Sequence, residues 1–257
     1  MNQFSKYLLI ICLPILIIGC KQQYKLTDST SANNEISNEL STNDFSETII
    51  SPYRNELKNK MDEVINTSLI NMEVGAPEGL LGNFVCDLTF TKAKTLSTKP
   101  VHFCLLNNGG LRTPLPKGEI TRGKIFELMP FENEIVIVEL SGDRMIELIE
   151  YVKTKSLMTN SRKAGVPVSG FRMAINNDKV KEVKIGNETF DQSKNYRIAT
   201  SDYLANGGDH MDFFKNPISI EKTGFKLRDA ILAHIINLKK KNIELNASLD
   251  GRIYHAE

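Results

Sequence analysis

Residues 128–152 read LMPFENEIVIVELSGDRMIELIEYV, and the hydrophobic period changes within them. Pro130 precedes Phe131 and the polar trio Glu132, Asn133 and Glu134, which marks a bend with an aromatic on it. From Glu134 to Leu140 the chain is rich in Ile and Val and alternates in part, the pattern of a strand. Ser141 then offers a hydroxyl to cap a helix, Gly142 and Asp143 open it, and Met145, Ile146, Leu148, Ile149 and Val152 supply its apolar face. A strand that runs straight into a helix predicts layers of both kinds.

The flanking sequence extends this reading in both directions. Upstream, Val101 to Leu106 is a short apolar run ending in Asn107, Asn108, Gly109 and Gly110, a buried strand feeding a tight loop. Before it, Leu80, Leu81, Phe84, Val85 and Leu88 recur at helical spacing after Pro77, predicting a helix from Glu78 to about Lys94. Gly82 in that helix allows close backbone approach or is simply tolerated. Leu57, Met61, Val64, Ile65 and Leu69 predict one buried helix face over Ile49 to Ile70, with Pro52 in its first turn. Downstream, Phe171 to Ile175 and Val180 to Ile185 flank Asn176, Asn177 and Asp178, a hairpin. Tyr196 to Thr200 predicts a further strand, Ser201 to His210 a loop, and Phe225 to about Lys241 a last helix. The expected fold is α+β, a mixed β-sheet layered with helices.

With 257 residues, 41% of them apolar, the chain accommodates one full hydrophobic core after a leader and a tether. A formal net charge of +1 provides no basic excess for nucleic acid. Lys6 precedes an apolar run from Tyr7 to Ile18, too short to span a bilayer, which ends in Gly19 and Cys20. This resembles a bacterial lipoprotein signal over residues 1–19 with Cys20 lipidated; an ordinary secretory signal is the other reading. Residues 20–47 are dominated by Ser, Thr, Asn, Asp and Glu and are expected to form a flexible tether, leaving residues 48–257 as the folded domain. Cys86 and Cys104 lie in apolar stretches of a chain expected outside the cytoplasm, where they either pair or remain buried thiols.

Three loops beside predicted strands carry the candidate chemistry. In NNGGLR, Asn107 to Arg112, Gly109 and Gly110 expose backbone N–H groups and Arg112 adds a planar cation suited to phosphate or hydroxyl oxygens. A turn with a solvated arginine also satisfies that pattern. In LMPFENEI, Phe131 sits at the bend; in SDYLANGGDH, Tyr203 precedes Gly207, Gly208 and Asp209. Two aromatics facing across a gap can stack on a base, and two aromatics can equally belong to a core.

Taken in order, LLGNFVCD, NNGGLR, ITRGKIFELMPFENEIVIVELSG, YRIATSDYLANGGDH and the TGF stretch at Thr223 to Phe225 resemble the C-terminal domain of the 5'-nucleotidase and UDP-sugar hydrolase family. The resemblance implies that Phe131 and Tyr203 sandwich the base, with Tyr203 where phenylalanine is usual. It implies that Asn107 lies near the base, Arg112 near ribose or phosphate, and Asp209 against ribose hydroxyls. Two departures stand out. Many relatives carry an arginine before the Leu-Gly-Asn block, where this chain has Glu73 to Glu78, and His210 follows Asp209 where glycine is usual.

In that family a separate N-terminal domain gathers two metal ions for hydrolysis. Here His102, His210, His234 and His255 fall in no arrangement suited to that site, and the tether is too short to hold such a domain. No catalytic residue, metal ligand or cofactor is therefore expected in this chain. A divalent metal pair is expected in a separate metallophosphoesterase chain, with a nucleoside 5'-monophosphate or related nucleotide as ligand and the envelope membrane reached through Cys20. A stand-alone nucleotide-binding lipoprotein and a non-binding scaffold are the other expectations.

Overall fold

The computed structural model describes residues 25–33, 43–159, 161 and 163–256; the signal over residues 1–19 and the lipidation site Cys20 lie outside them. The chain divides into two units, residues 1–48 and 49–257. Along the chain run α1 (Asp44–Met61), β1 (Val64–Ser68), α2 (Leu80–Leu96), β2 (Phe103–Leu105), β3 (Gly118–Thr121) and α3 (Arg122–Leu128). Then come β4 (Glu134–Ser141), α4 (Gly142–Ser156), β5 (Val168–Ser169), β6 (Phe171–Asn176), β7 (Lys179–Ile185), β8 (Glu188–Thr189) and β9 (Asn195–Ser201). The last are α5 (Asp202–Ala205), β10 (Ser219–Lys226), α6 (Leu227–Lys240) and β11 (Ile253–His255).

A five-stranded sheet in the order β10-β4-β9-β2-β5 lies at the centre. It is mixed, because β9 and β2 pair in parallel while the other neighbours are antiparallel. Side chains alternate across a strand, and here both faces are covered. Ile135 and Ile137 of β4, Ala199 of β9 and Cys104 of β2 enter a core shared with α2, α3 and α6. Val136, Val138 and Leu140 of β4, Ile198 of β9, and Phe103 and Leu105 of β2 enter a second core with α4, β6 and β7. Burial on both faces is why the Ile and Val of β4 form a nearly continuous apolar run.

Three helices start directly from strands, each capped by the hydroxyl that ends the strand. The N–H groups of Lys124, Arg144 and Leu204 donate to Thr121, Ser141 and Ser201 at 3.3, 3.5 and 3.3 Å. Gly142 is required after Ser141, since a Cβ there would lie 1.9 Å from the Gln192 carbonyl oxygen. The expected hairpin forms between β6 and β7, with Asn177 and Asp178 in the left-handed region at φ 46° and 60°. Cys86 and Cys104 are free and buried. Burial, then hydrogen bonding with Cys104, pushes the Cys86 thiol well above its ordinary pKa.

Several sequence expectations are corrected. The helix expected over Ile49 to Ile70 starts at Asp44 and ends at Met61, so Pro52 lies in its interior and its first turn falls within the segment expected to be a tether. None of its residues is buried. Val64 and Ile65 belong instead to β1, where β-branched residues suit pairing with β3. The last helix begins at Leu227, because Thr223, Gly224 and Phe225 run in β10 at the sheet edge. With Glu221 and Lys222 among its residues, β10 has the charged character of an edge strand and lacks an obvious strand pattern. The helix Arg122–Leu128 has too few turns to show a period.

Candidate functional site

The glycine turn after β2 places its polar groups by local bonding. Gly110 N–H donates to Asn107 O at 3.2 Å, Leu111 N–H to Asn108 O at 3.1 Å, and Arg112 N–H to Leu128 O at 2.8 Å. The last bond ties Arg112 to the end of α3, where the Phe131 bend begins. A Cβ on Gly110 would lie 2.9 Å from Asn107 Oδ1, so the turn closes around the Asn107 amide only with glycine there.

The bend that carries Phe131 is held from α6. Arg228, itself buried, donates to the carbonyl oxygens of Met129 at 3.3 Å and Phe131 at 3.4 Å, pairs with Glu132, and lies 4.4 Å from the Phe126 ring centroid. Lys226 pairs with Glu132 as well. Hydrogen bonds from Lys226 and then Arg228 hold the Glu132 carboxyl below the usual carboxylate range.

The third loop follows β9. Tyr203 lies on α5, and its hydroxyl donates to Asp209 Oδ1 at 3.1 Å. Asn107 Nδ2 donates to Asp209 Oδ2 at 2.6 Å, and the Tyr151 hydroxyl donates to Asp209 O at 2.9 Å. Burial, then the negative charge of Asp209, pushes the Tyr151 phenol up to about 12. Asp209 and His210 both adopt left-handed backbone, at φ 51° and 63°, so the histidine occupies a conformation that favours glycine.

These loops enclose a cavity of about 310 Å³ lined by Asn107, Gly109, Gly110, Arg112, Phe131, Tyr203 and Asp209, together with Asn133 and Lys163. Phe131 is 40% and Tyr203 47% exposed, so both rings are open to a ligand rather than part of the core. The Arg112 guanidinium lies 5.8 Å from the Phe131 ring centroid. Gly207 and Gly208, the remaining sequence candidates, are not among the lining residues. Gly207, at φ 87°, donates its N–H to Leu204 O at 2.8 Å and ends α5, and a Cβ on Gly208 would lie 2.5 Å from the Tyr203 ring. They shape the loop that presents Tyr203 and Asp209.

Sequence reasoning named neither Asn133 nor Lys163 as a site residue. Asn133 shares the Phe131 bend and was within reach of the pattern. Lys163 sits in a turn with no local signal. Among the described residues no group of three or more His, Cys, Asp or Glu side chains is placed to hold a metal ion.

A mixed sheet covered on both faces, with strand-end loops converging on an open cavity, defines an α+β domain with a candidate ligand site. More narrowly, the chain belongs to the family described as "5'-nucleotidase, C-terminal domain", which matches residues 61–216. The trifunctional nucleotide phosphoesterase protein YfkN of Bacillus subtilis is 28% identical over 216 residues, which is 78% of this chain and 14% of that protein. A 5'-nucleotidase of Vibrio parahaemolyticus is 29% identical over 158 residues, 60% of this chain and 27% of that one. This chain therefore spans a minor part of both relatives. The crystal structure of a 5'-nucleotidase precursor from Thermus thermophilus superposes with a TM-score of 0.67 at 27% identity, covering 82% of this chain and 43% of that one. The NAD nucleotidase of Haemophilus influenzae shares the fold, with a TM-score of 0.64 at 17% identity, over 83% and 41% of the two chains.

Proposed function

We propose that this chain is the nucleotide-recognition subunit of a split 5'-nucleotidase, binding a nucleoside 5'-monophosphate while a separate metallophosphoesterase chain supplies the metal pair and hydrolysis. It acts at the cell envelope, anchored through lipidated Cys20. The observation that carries this reading is the meeting of Phe131, Tyr203, Arg112 and Asp209, from three loops distant in sequence, around one cavity. The open rings stack on the base, the Asp209 carboxylate takes the ribose hydroxyls, and the Arg112 guanidinium faces ribose or phosphate oxygens. The relatives named for nucleotide hydrolysis support the ligand class.

Calorimetry with adenosine 5'-monophosphate tests recognition. Phe131→Ala is expected to lose about 1 to 3 kcal/mol of binding, the range for one stacked base. Division of labour is tested by phosphate release from the same nucleotide, using a metallophosphoesterase chain isolated with this one from envelope membranes. Release no faster than that chain achieves alone sinks the split enzyme. A stand-alone nucleotide-binding lipoprotein is the second reading, favoured by the fact that residues of this one chain line the cavity with rings, cations and carboxylate together. Affinity without any associated hydrolase selects it.

A further inference from the structure

The wall of the cavity formed around Lys163 is built, not incidental. Lys163 N–H donates to Ser161 Oγ at 3.1 Å, Ala164 N–H to Ser161 O at 2.9 Å, and Gly165 N–H to Lys155 O at 2.7 Å. The buried Asn108 side chain donates to Ala164 O at 2.6 Å and to Gly75 O at 3.1 Å. Gly165 sits at φ 74°, where a Cβ would lie 2.3 Å from the Gly75 carbonyl oxygen. Asn108 stands between Asn107 and Gly109 in the glycine turn, so the turn that lines the cavity also fixes the segment that carries Lys163.

The charge balance of the lining is informative. Asp209 is its carboxylate, and both oxygens of that group already accept hydrogen bonds from Asn107 and Tyr203. Among the described residues, Arg112 and Lys163 are the cations of the lining. A neutral nucleoside is served by the rings, the amides and Asp209, and it has no group that requires a second cation. A phosphate does. The ammonium is a compact charge on a flexible stem with three donors, suited to non-bridging phosphate oxygens at the mouth of a site.

We infer that Lys163 is a specificity-determining cation that contacts the ligand's phosphate and makes the cavity select nucleotides over nucleosides. This inference rests on the proposed nucleotide-binding reading of the same cavity. The test measures affinities of the full chain for adenosine and adenosine 5'-monophosphate, in wild type, Lys163→Gln, Lys163→Arg and Phe131→Ala. Lys163→Gln is expected to weaken the monophosphate about threefold to fivefold, the scale of one exposed charge pair, and to leave adenosine unchanged. Lys163→Arg is expected to restore the preference, and added salt to reduce it in wild type more than in Lys163→Gln. Equal weakening of both ligands, or no change in either, overturns the inference while leaving nucleotide binding intact. If wild type binds neither ligand, the proposed function fails and this inference falls with it.

Discussion

Tyr203 provides a ring face and a hydroxyl at one position. The hydroxyl bonds Asp209 Oδ1 and accepts from the Asp209 N–H at 3.2 Å, bracing a residue held in left-handed backbone. Tyr203→Phe is therefore expected to keep stacking yet weaken nucleotide binding by about 0.5 to 1.5 kcal/mol, the net worth of one hydrogen bond. Calorimetry with adenosine 5'-monophosphate reads this directly, and an unchanged affinity removes the hydroxyl from the site. Tyr151 braces the same residue through its backbone carbonyl. Its phenol is pushed up to about 12 by burial first, so the folded state holds this proton more tightly than the unfolded chain does. The stabilisation is fully present below the ordinary tyrosine value of about 10 and is lost as pH rises towards 12. Thermal melts across that window are expected to fall more steeply for wild type than for Tyr151→Phe. Parallel pH profiles would mean that Tyr151 is not the titrating brace.

The Phe131 bend is an element positioned by another element. Arg228 on α6 donates to two of its carbonyl oxygens and pairs with Glu132, so it acts on the cavity through Phe131 without lining it. Arg228→Lys keeps the charge and loses the planar fork. It is expected to weaken binding of adenosine 5'-monophosphate, and a double-mutant cycle with Phe131→Ala is expected to be non-additive. Additive losses would reduce Arg228 to general support of the fold. How much of this is legible in sequence differs between elements. β4 and β7 announce themselves through Ile and Val, β6 and β9 through short strand-like runs, and α4 through a hydroxyl cap and a clear apolar stripe. β1 reads as helix because its apolar spacing continues that of α1, and its pairing with β3 is a non-local fact. β10 is hidden because an edge strand need not alternate strongly. The site follows the same division. Tyr203 and Asp209 belong to one loop motif, while the bond from Asn107 to Asp209 joins positions 102 residues apart and the Lys163 wall depends on Asn108, which no local pattern connects to it.

At the scale of the whole unit of residues 49–257, two hydrophobic cores share one sheet, and β4 contributes neighbouring side chains to both. Ile137 faces the core with α2, α3 and α6, and Leu140 the core with α4, β6 and β7; each is at most 1% exposed. Neither core can open and leave β4 in place with one face bare, because exposing that face also strips the packing that fixes the strand for the other. Ile137→Ala and Leu140→Ala are each expected to cost about 2 to 5 kcal/mol, from lost transfer energy and the cavity left behind. If the sheet couples the cores, both variants lower one and the same unfolding transition, seen at coincident midpoints by far-UV and near-UV circular dichroism. At about 2 to 4 °C per kcal/mol for a domain of this size, the shifts are large enough to resolve. The same coupling carries to the cavity, since Phe131 precedes β4 and Tyr203 follows β9, and these are adjacent strands. A variant that melts one core first, leaving a second transition at the wild-type temperature, would show that the two faces unfold independently and that the cavity loops do not share a single scaffold.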